Sequence, residues 1–389
     1  MDFSLTDEQR SIRDTARTFI ANEVLPLEPE VLRRERRGEP ALAHEELRAL
    51  QRKARDFGFW GLGTPAAYGG ADLPAVTQSL VWSELGRTLV PFVFGGETDV
   101  ILYKADAAQR EEYLLPAIEG TRASCFAVTE PGAGSDLTAI RMSARRDGDD
   151  WVLNGEKTFI TRGKEADFSI VIAVTDPELG YRGGFTAFIV DRAMGWTSSP
   201  IETMGPAEPI AMAFDDVRVP HRNVLGQVGD GFRLAMEWIG RGRYVIPSQA
   251  IGAAERLLTM AVEYATQRET FGKPIGEHQM IQAMLADCEL DLESARWLVL
   301  VAAWTVDQGR DPRHESSMAK LSGATMANRV VDRVMQIHGG MGYTRELPIE
   351  RWYREARLWR IFEGTDEIQR RAIARNLLSG RRRVGGHLA

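Results

Sequence analysis

The residue best set for proton transfer is Glu363. It stands in Ile361-Phe362-Glu363-Gly364-Thr365-Asp366-Glu367-Ile368-Gln369, where Thr365 reads as a helix N-cap and Asp366 suits a first helical turn. Glu363 thus falls just outside that helix, behind two apolar residues and beside a glycine. In an apolar pocket its pKa rises toward a value useful to a general base; on a solvated loop it is an ordinary surface carboxylate. The residues alone leave both readings open. A second segment, Phe126-Ala127-Val128-Thr129-Glu130-Pro131-Gly132-Ala133-Gly134-Ser135-Asp136, sets glycines around a small hydroxyl residue, so backbone N–H groups can approach a flat ring or a phosphate. A plain loop between helix and strand accounts for it equally well. The third, Gln336-Ile337-His338-Gly339-Gly340-Met341-Gly342-Tyr343, is a helix end and a glycine-rich bend, for which a C′ glycine is the plain explanation.

Other chemistries lack support. Gly61-Leu62-Gly63 is no dinucleotide fingerprint, since no strand precedes it and Pro65 intrudes. Gly155-Glu156-Lys157-Thr158 lacks the earlier glycine of a phosphate loop, and a hairpin fits it better. The six histidines show no paired metal spacing, so no metal site is expected. Two cysteines, Cys125 and Cys288, exclude a disulfide framework and a Cys-based zinc site. Both sit among apolar neighbours and read as small buried hydrophobes.

The elements that position these residues belong to a globular chain. At 389 residues, 44% apolar and 26% charged, it suggests two or three domains of ~100–200 residues each. With 48 basic against 55 acidic residues and a net charge of −7, nucleic-acid binding has no electrostatic support at chain level. The basic runs at Arg33–Arg37 and Arg381–Arg383 read as solvated loop or tail. The longest apolar run, Trp297–Val306, is far short of the ~20 residues of a membrane span. Asp2, Asp7, Glu8 and Asp14 occupy the stretch where a signal peptide carries basic and apolar residues. A cytoplasmic protein with no membrane and no nucleic-acid partner is expected.

Periodicity divides the chain into an α+β arrangement: 1–122 helical, 123–231 β, 232–389 helical. Thr6 with Gln9 predicts a capping box, followed by Ile12, Ala16, Phe19 and Ile20 at helical spacing, until Pro26 and Pro29 stop the helix. Further helices are expected near 42–57, 74–89 and 107–118. In the middle region, Asn154-Gly155 between Trp151-Val152-Leu153 and Thr158-Phe159-Ile160 predicts a hairpin; 169–174, 185–190 and 210–214 continue as strands. No helical pattern interleaves them, which favours an antiparallel β-domain over a βαβ sheet. Leu285, Cys288, Leu292, Ala295, Val299, Ala302 and Val306 then form the seam of a long bundle helix. Asp311-Pro312 starts the next helix, ended by Gly339-Gly340, and a third, 249–268, is expected to follow Pro247.

Taken together, these segments resemble the acyl-CoA dehydrogenase family over nearly the whole chain, from Phe3-Ser4-Leu5-Thr6-Asp7-Glu8-Gln9 to the last helix. Two stretches carry the resemblance most specifically: Val128–Asp136, and Tyr264-Ala265-Thr266-Gln267-Arg268-Glu269-Thr270-Phe271-Gly272-Lys273-Pro274-Ile275. The resemblance implies a helical domain, a β-barrel-like middle domain and a four-helix bundle, with FAD as cofactor and an acyl-CoA as substrate. It places Phe126, Val128 and Thr129 along the flavin and Gly134 and Ser135 near the pyrophosphate. Phe159 stacks on the ring, where many relatives carry Trp, and Thr161 hydrogen-bonds it. Arg268, Phe271, Gln279, Gln336 and Gly340 match positions that contact FAD bound by a neighbouring subunit. Thr365 and Glu367 match adenosine-diphosphate contacts, although some members have glutamine in place of Glu367. Ser135, Arg243 and Gly364 are the implied substrate contacts.

The resemblance also assigns the chemistry. A thioester α-proton is too weakly acidic to leave unaided. In the family the thioester carbonyl is hydrogen-bonded to the FAD ribityl chain and to the backbone N–H of the base residue, which stabilises the developing enolate. Glu363 takes the α-proton while the β-hydrogen leaves as hydride to the flavin. Some branched-chain members carry the base at a position matching about Gly242, which cannot serve. The implied product is a 2,3-enoyl-CoA, the acceptor an electron-transfer flavoprotein, and the assembly a dimer of dimers. Alternatives on the same fold are an enoyl-CoA reductase, a flavin oxidase, or a DNA-associated flavoprotein of the alkylation-response type, the last opposed by the acidic charge. Two departures stand out. Met204-Gly205-Pro206-Ala207-Glu208-Pro209 looks shorter than usual and lacks the common Arg and Ser. Trp238-Ile239-Gly240-Arg241-Gly242-Arg243-Tyr244 is unusually rich in large and basic residues, which means either packing against the β-domain or a short, cyclic or polar acyl group.

Overall fold

A computed structural model describes residues 4–205 and 208–385, with 241 and 242 described by backbone alone. Phe3 of the opening motif, and Pro206 and Ala207 of the shortened stretch, lie outside the described residues. The architecture is N-terminal helices, a central β-sheet, then C-terminal helices. By internal contacts the chain forms two compact units: Met1–Phe57 with Leu73–Val93 and Arg241–Ala389, and Gly58–Asp72 with Phe94–Gly240.

In the first unit, helix α1 (Asp7–Phe19) opens with the expected capping box. Thr6 Oγ1 accepts from Gln9 N at 3.2 Å and the Gln9 side chain accepts from Thr6 N at 3.0 Å, so two orphan donors are satisfied reciprocally. Pro26 and Pro29 do more than end this helix. After a π turn and a 3-10 turn, Pro29 sits in the first turn of α2 (Glu28–Arg36), where its missing N–H has no intrahelical partner to lose. Helices α3 (His44–Asp56) and α4 (Ala75–Leu85) follow.

Helix α5 (Gly231–Gln267), which belongs to this unit from Arg241 onward, corrects the expected start after Pro247, because it runs straight through that proline. Proline removes one bond of the helical ladder. Two contacts steady the turn: Ser248 Oγ donates to Tyr244 O at 2.7 Å, and Ser83 Oγ donates to Ser248 O at 3.0 Å. The proline ring packs on Gly323, where a Cβ would meet Pro247 Cβ at 2.6 Å. Helices α6 (Gln279–Asp307), α7 (Arg313–His338), α8 (Ile349–Leu358) and α9 (Asp366–Leu378) complete the unit. The predicted seam is buried on α6 at Cys288, Leu292, Ala295, Val299 and Ala302, with Leu285 and Val306 half-covered. It packs into one core with Ala254, Leu257, Ala261, Ala327, Val330 and Val334.

The second unit is built on β1 (Ser124–Ala127), β2 (Ser143–Asp147), β3 (Asp150–Ile160), β4 (Phe168–Val174), β5 (Phe185–Asp191), β6 (Thr197–Pro200), β7 (Ile210–Pro220) and β8 (Val224–Leu225). The sheet runs β6-β7-β3-β2-β4-β5-β8 and is antiparallel except where β4 meets β1 and β2. Alternation along β4 and β5 sends Ile170, Ile172, Ala187 and Ile189 to one core, with Leu102, Tyr113 and Leu114, and Val171, Ala173, Phe188 and Val190 to another, with Trp151 and Phe214.

The predicted Asn154-Gly155 hairpin is not formed. The turn lies at Asp147–Asp150, with Gly148 at φ +64°, and β3 passes through Asn154 and Gly155 unbroken. Two tertiary contacts explain this. Asn154 exchanges hydrogen bonds of 2.9 Å with Asp216 across the sheet. Gly155 lets β3 pass Met142, whose Cα would lie 2.9 Å from an added Cβ. The strongest local turn signal here serves a bulge instead.

Candidate active site

In the first unit the site is organised around a strained turn. The chain leaves α8, and Glu363 and Gly364 take consecutive left-handed conformations at φ +54° and +87° before Thr365 caps α9. A non-glycine residue there costs roughly 1–2 kcal/mol, so the surroundings must enforce it. Gln369, fully buried on α9, donates from Nε2 to the carbonyls of Glu363 (3.0 Å) and Gly364 (3.1 Å). Lys320, fully buried on α7, donates from Nζ to the Gly364 carbonyl at 2.7 Å. Two side chains from two helices therefore clamp one turn.

Glu363 as a whole is half-buried, yet its Oε2 is shut off from solvent with no hydrogen-bond partner among the described residues. Burial pushes its pKa up to about 7, opposed by the positive charges of Arg243 on α5 and Lys320. Burial likewise lowers Lys320 to about 8, opposed chiefly by Asp366 and Glu363, and lowers Arg243, opposed by Glu363. Arg243 Nε, Asp366 Oδ1 and Gln369 Oε1 also lack partners among the described residues. Buried polar groups in native proteins are nearly always paired, so these atoms suit a polar ligand or ordered water at the turn. A carboxylate near neutrality, held on a rigid turn, can take and return a proton at ordinary pH.

Arg268, Phe271, Gln279, Gln336 and Gly340 form a different place in the same unit. All five are exposed, Phe271 by 98%. Tyr264 stacks on His338 at 4.4 Å, which brings the end of α5 beside the end of α7. Gln336 lies about 24 Å further along α7 than Lys320 at ~1.5 Å per residue. Phe271 tips the small hairpin of β9 (Glu269–Thr270) and β10 (Lys273–Pro274), at φ +51°. Glu367 is exposed in the first turn of α9, and hydrogen bonds from its own backbone N–H and from Thr365 lower its pKa.

In the second unit, the Val128–Glu130 segment is tied to β3. Thr158 N donates to Thr129 O at 2.9 Å. Lys157, fully buried, donates to Val128 O at 3.1 Å and to Glu130 Oε1 at 2.8 Å. Glu130 also accepts from the N–H groups of Arg141 (2.6 Å) and Met142 (3.0 Å). Phe126 and Val128 lie in the core, and Phe126 stacks at 4.4 Å on Trp238, whose indole donates to Asp99 at 2.6 Å. Trp238 is thus packed, while the charge of Arg243 in the same stretch acts on Glu363. Thr129 is half-buried; Gly134, Ser135 and Thr161 are exposed. Phe159 sits where β3 gains an extra residue against β7, at φ +57° with 60% of its surface open. An aromatic face aimed outward by a bulge, next to a loop pinned by a buried ion pair, fits a flat ring such as a flavin.

The sequence did not single out Lys320, Gln369, Lys157 or Glu130 for these tasks. Lys320 carries the one available signal, a lysine in phase with the apolar face of Ala319, Gly323, Ala324 and Ala327.

Family models for the acyl-CoA dehydrogenase N-terminal, middle and C-terminal domains match residues 6–121, 125–217 and 229–378. The chain belongs to the acyl-CoA dehydrogenase family. The (R)-benzylsuccinyl-CoA dehydrogenase of Thauera aromatica is 37% identical over 395 residues, covering 97% of each chain. The 3-(aryl)acrylate reductase of Clostridium sporogenes is 37% identical over 386 residues, 96% of this chain and 99% of that one. Among solved structures, butyryl-CoA dehydrogenase from Megasphaera elsdenii matches with a TM-score of 0.86 and 34% identity, over 97% of this chain and 100% of that chain. Cys125 and Cys288 are both free and buried, and burial pushes their thiols up to about 12 and about 11, in keeping with inert core residues. No helix among the described residues is long and apolar enough to cross a membrane.

Proposed function

We propose that this protein carries out the FAD-dependent α,β-dehydrogenation of an acyl-CoA thioester to a 2,3-enoyl-CoA, with Glu363 as the base. The observation that carries this reading is the Glu363 carboxylate, poised near pH 7 with an unpartnered oxygen on a clamped left-handed turn. Glu363 removes the α-proton and holds it on its carboxylate; its backbone N–H serves the thioester carbonyl, and Arg243, Gly364 and Ser135 contact substrate. Phe126, Val128, Thr129, Gly134, Ser135, Phe159 and Thr161 would hold FAD, with Thr365 and Glu367 toward its adenosine diphosphate. When bound, FAD supplies the acceptor for the β-hydrogen.

The three-domain division at 1–122, 123–231 and 232–389 is part of the proposal, supported by the extents of the family matches. So is a dimer of dimers in which Arg268, Phe271, Gln279, Gln336 and Gly340 serve a neighbour's cofactor. The open Phe271, Met280 (77%) and Tyr343 (81%) support it, as exposed apolar groups that association would cover. An electron-transfer flavoprotein as acceptor and a cytoplasmic location complete the reading. The aryl acrylate reductase relative favours a second reading, the reverse reaction, in which protonated Glu363 delivers its proton to the α-carbon.

The test is anaerobic flavin reduction by a panel of acyl-CoAs, parent against Glu363→Gln, across pH. Loss of a general base costs about 10²–10⁴ in rate. The parent rate should fall as pH drops through about 7, where the carboxylate becomes protonated. Near-parent reduction by Glu363→Gln would remove Glu363 from the role.

A further inference from the structure

Lys320 is out of place by composition alone. It is fully buried on α7, on the face that carries Ala319, Ala324 and Ala327 into the core. A desolvated ammonium is among the costliest groups to keep there, and a leucine or methionine would fill the same volume. Among the described residues its ammonium makes one hydrogen bond, 2.7 Å to the Gly364 carbonyl. That carbonyl belongs to the turn whose first residue is Glu363. We propose that Lys320 is a positioning residue for Glu363: it anchors the left-handed Glu363–Gly364 turn through the Gly364 carbonyl and holds a positive charge behind the carboxylate. This deepens, and rests on, the reading of Glu363 as the base.

The charged groups around the turn divide the work. Arg360, just before it, and Arg370 on α9 reach Asp366 at 2.7 and 3.9 Å. Glu367 is exposed on α9 and acts on Lys320 only at a distance. The charge of Arg243 on α5 acts on Glu363 as well, so two cations oppose the effect of burial on the carboxylate. Of the two, Lys320 also bonds the turn's backbone. Gln369 bonds the Gly364 carbonyl, and that of Glu363 as well, without any charge. The three side chains thus separate charge from geometry.

The experiment measures exchange of substrate α-hydrogens for solvent deuterium by the holoenzyme against pH. The infrared carboxyl band of Glu363, isolated by subtracting Glu363→Gln, is titrated beside it in apoprotein. A nearby cation favours the ionised carboxylate, so removing it raises the pKa and moves the profile to higher pH. Lys320→Met should shift both midpoints upward by about one unit or more, slowing exchange about tenfold per unit on the acid side. Lys320→Arg, which keeps the charge, should leave the midpoints in place. Gln369→Leu should slow exchange without moving them. A folded, FAD-replete Lys320→Met with parent midpoints overturns the inference. So does a Lys320→Arg midpoint displaced upward by a unit, which decides the matter if Lys320→Met does not fold. Near-parent exchange in Glu363→Gln overturns the underlying reading instead; an inactive Glu363→Gln with an unmoved Lys320→Met overturns only the role of Lys320.

Discussion

Lys157→Met tests whether the buried pair with Glu130 holds the loop assigned to the flavin. Lys157 is fully buried and Glu130 is 8% exposed, with 2.8 Å between their charged atoms. Removing one partner of such a pair typically costs about 3–5 kcal/mol, because the other charge is left buried without compensation. Two bonds to Glu130 survive, from Arg141 N and Met142 N, which places the expectation at about 3 kcal/mol. The pH dependence sharpens it. Burial lowers the folded pKa of Lys157 from 10.5 to about 8, so between those values the unfolded chain binds more protons than the native one. Stability from this group therefore rises with pH across that window, by up to about 3 kcal/mol at ~1.36 kcal/mol per unit. The variant lacks this term, and its deficit should widen from pH 8 to 10.5. The assay is urea unfolding followed by tryptophan fluorescence at several pH values, with FAD affinity measured in parallel. Loss of the charge-assisted bond to Val128 O, worth ~1.5 kcal/mol, should weaken FAD binding by up to about tenfold. Adding Glu130→Gln should recover part of the stability, since the charge goes while an amide oxygen remains to accept. A Lys157→Met protein within ~1 kcal/mol of parent at pH 7, with a deficit that stays flat to pH 10.5, would refute the reasoning.

Two further outcomes follow from the exposed end of α5 and α7. Arg268→Ala should lower FAD retention on purification, with lysine restoring it only in part, because a point charge lacks the planar fork; unchanged flavin content and affinity in the alanine variant would remove Arg268 from the cofactor contacts. Light scattering of the FAD-replete protein should give a dimer or tetramer, and loss of FAD should weaken the assembly. A monomeric mass at full occupancy would sink the dimer of dimers.

Local rules were enough for much of the fold. The Thr6–Gln9 capping box, the Thr365 cap and the seam of α6 each depend on residues within a turn or two of one another, and all three appear where the spacing puts them. The motifs that resemble the family are equally local, and they led to Glu363 and to the Val128–Asp136 loop. Long-range contacts decided the rest. Asn154-Gly155 reads as a turn until Asp216 and Met142 are present, and Pro247 reads as a helix break until Gly323 receives its ring. None of these three partners is visible in a window of ten residues. The same holds for chemistry. A sequence names a glutamate and two lysines, but whether a carboxylate sits near pH 7, or an ammonium near 8, depends on how much water packing removes and which charges it leaves nearby. Those quantities arise only when α5, α7 and the turn before α9 converge, and, separately, when β3 closes on the Val128–Glu130 segment.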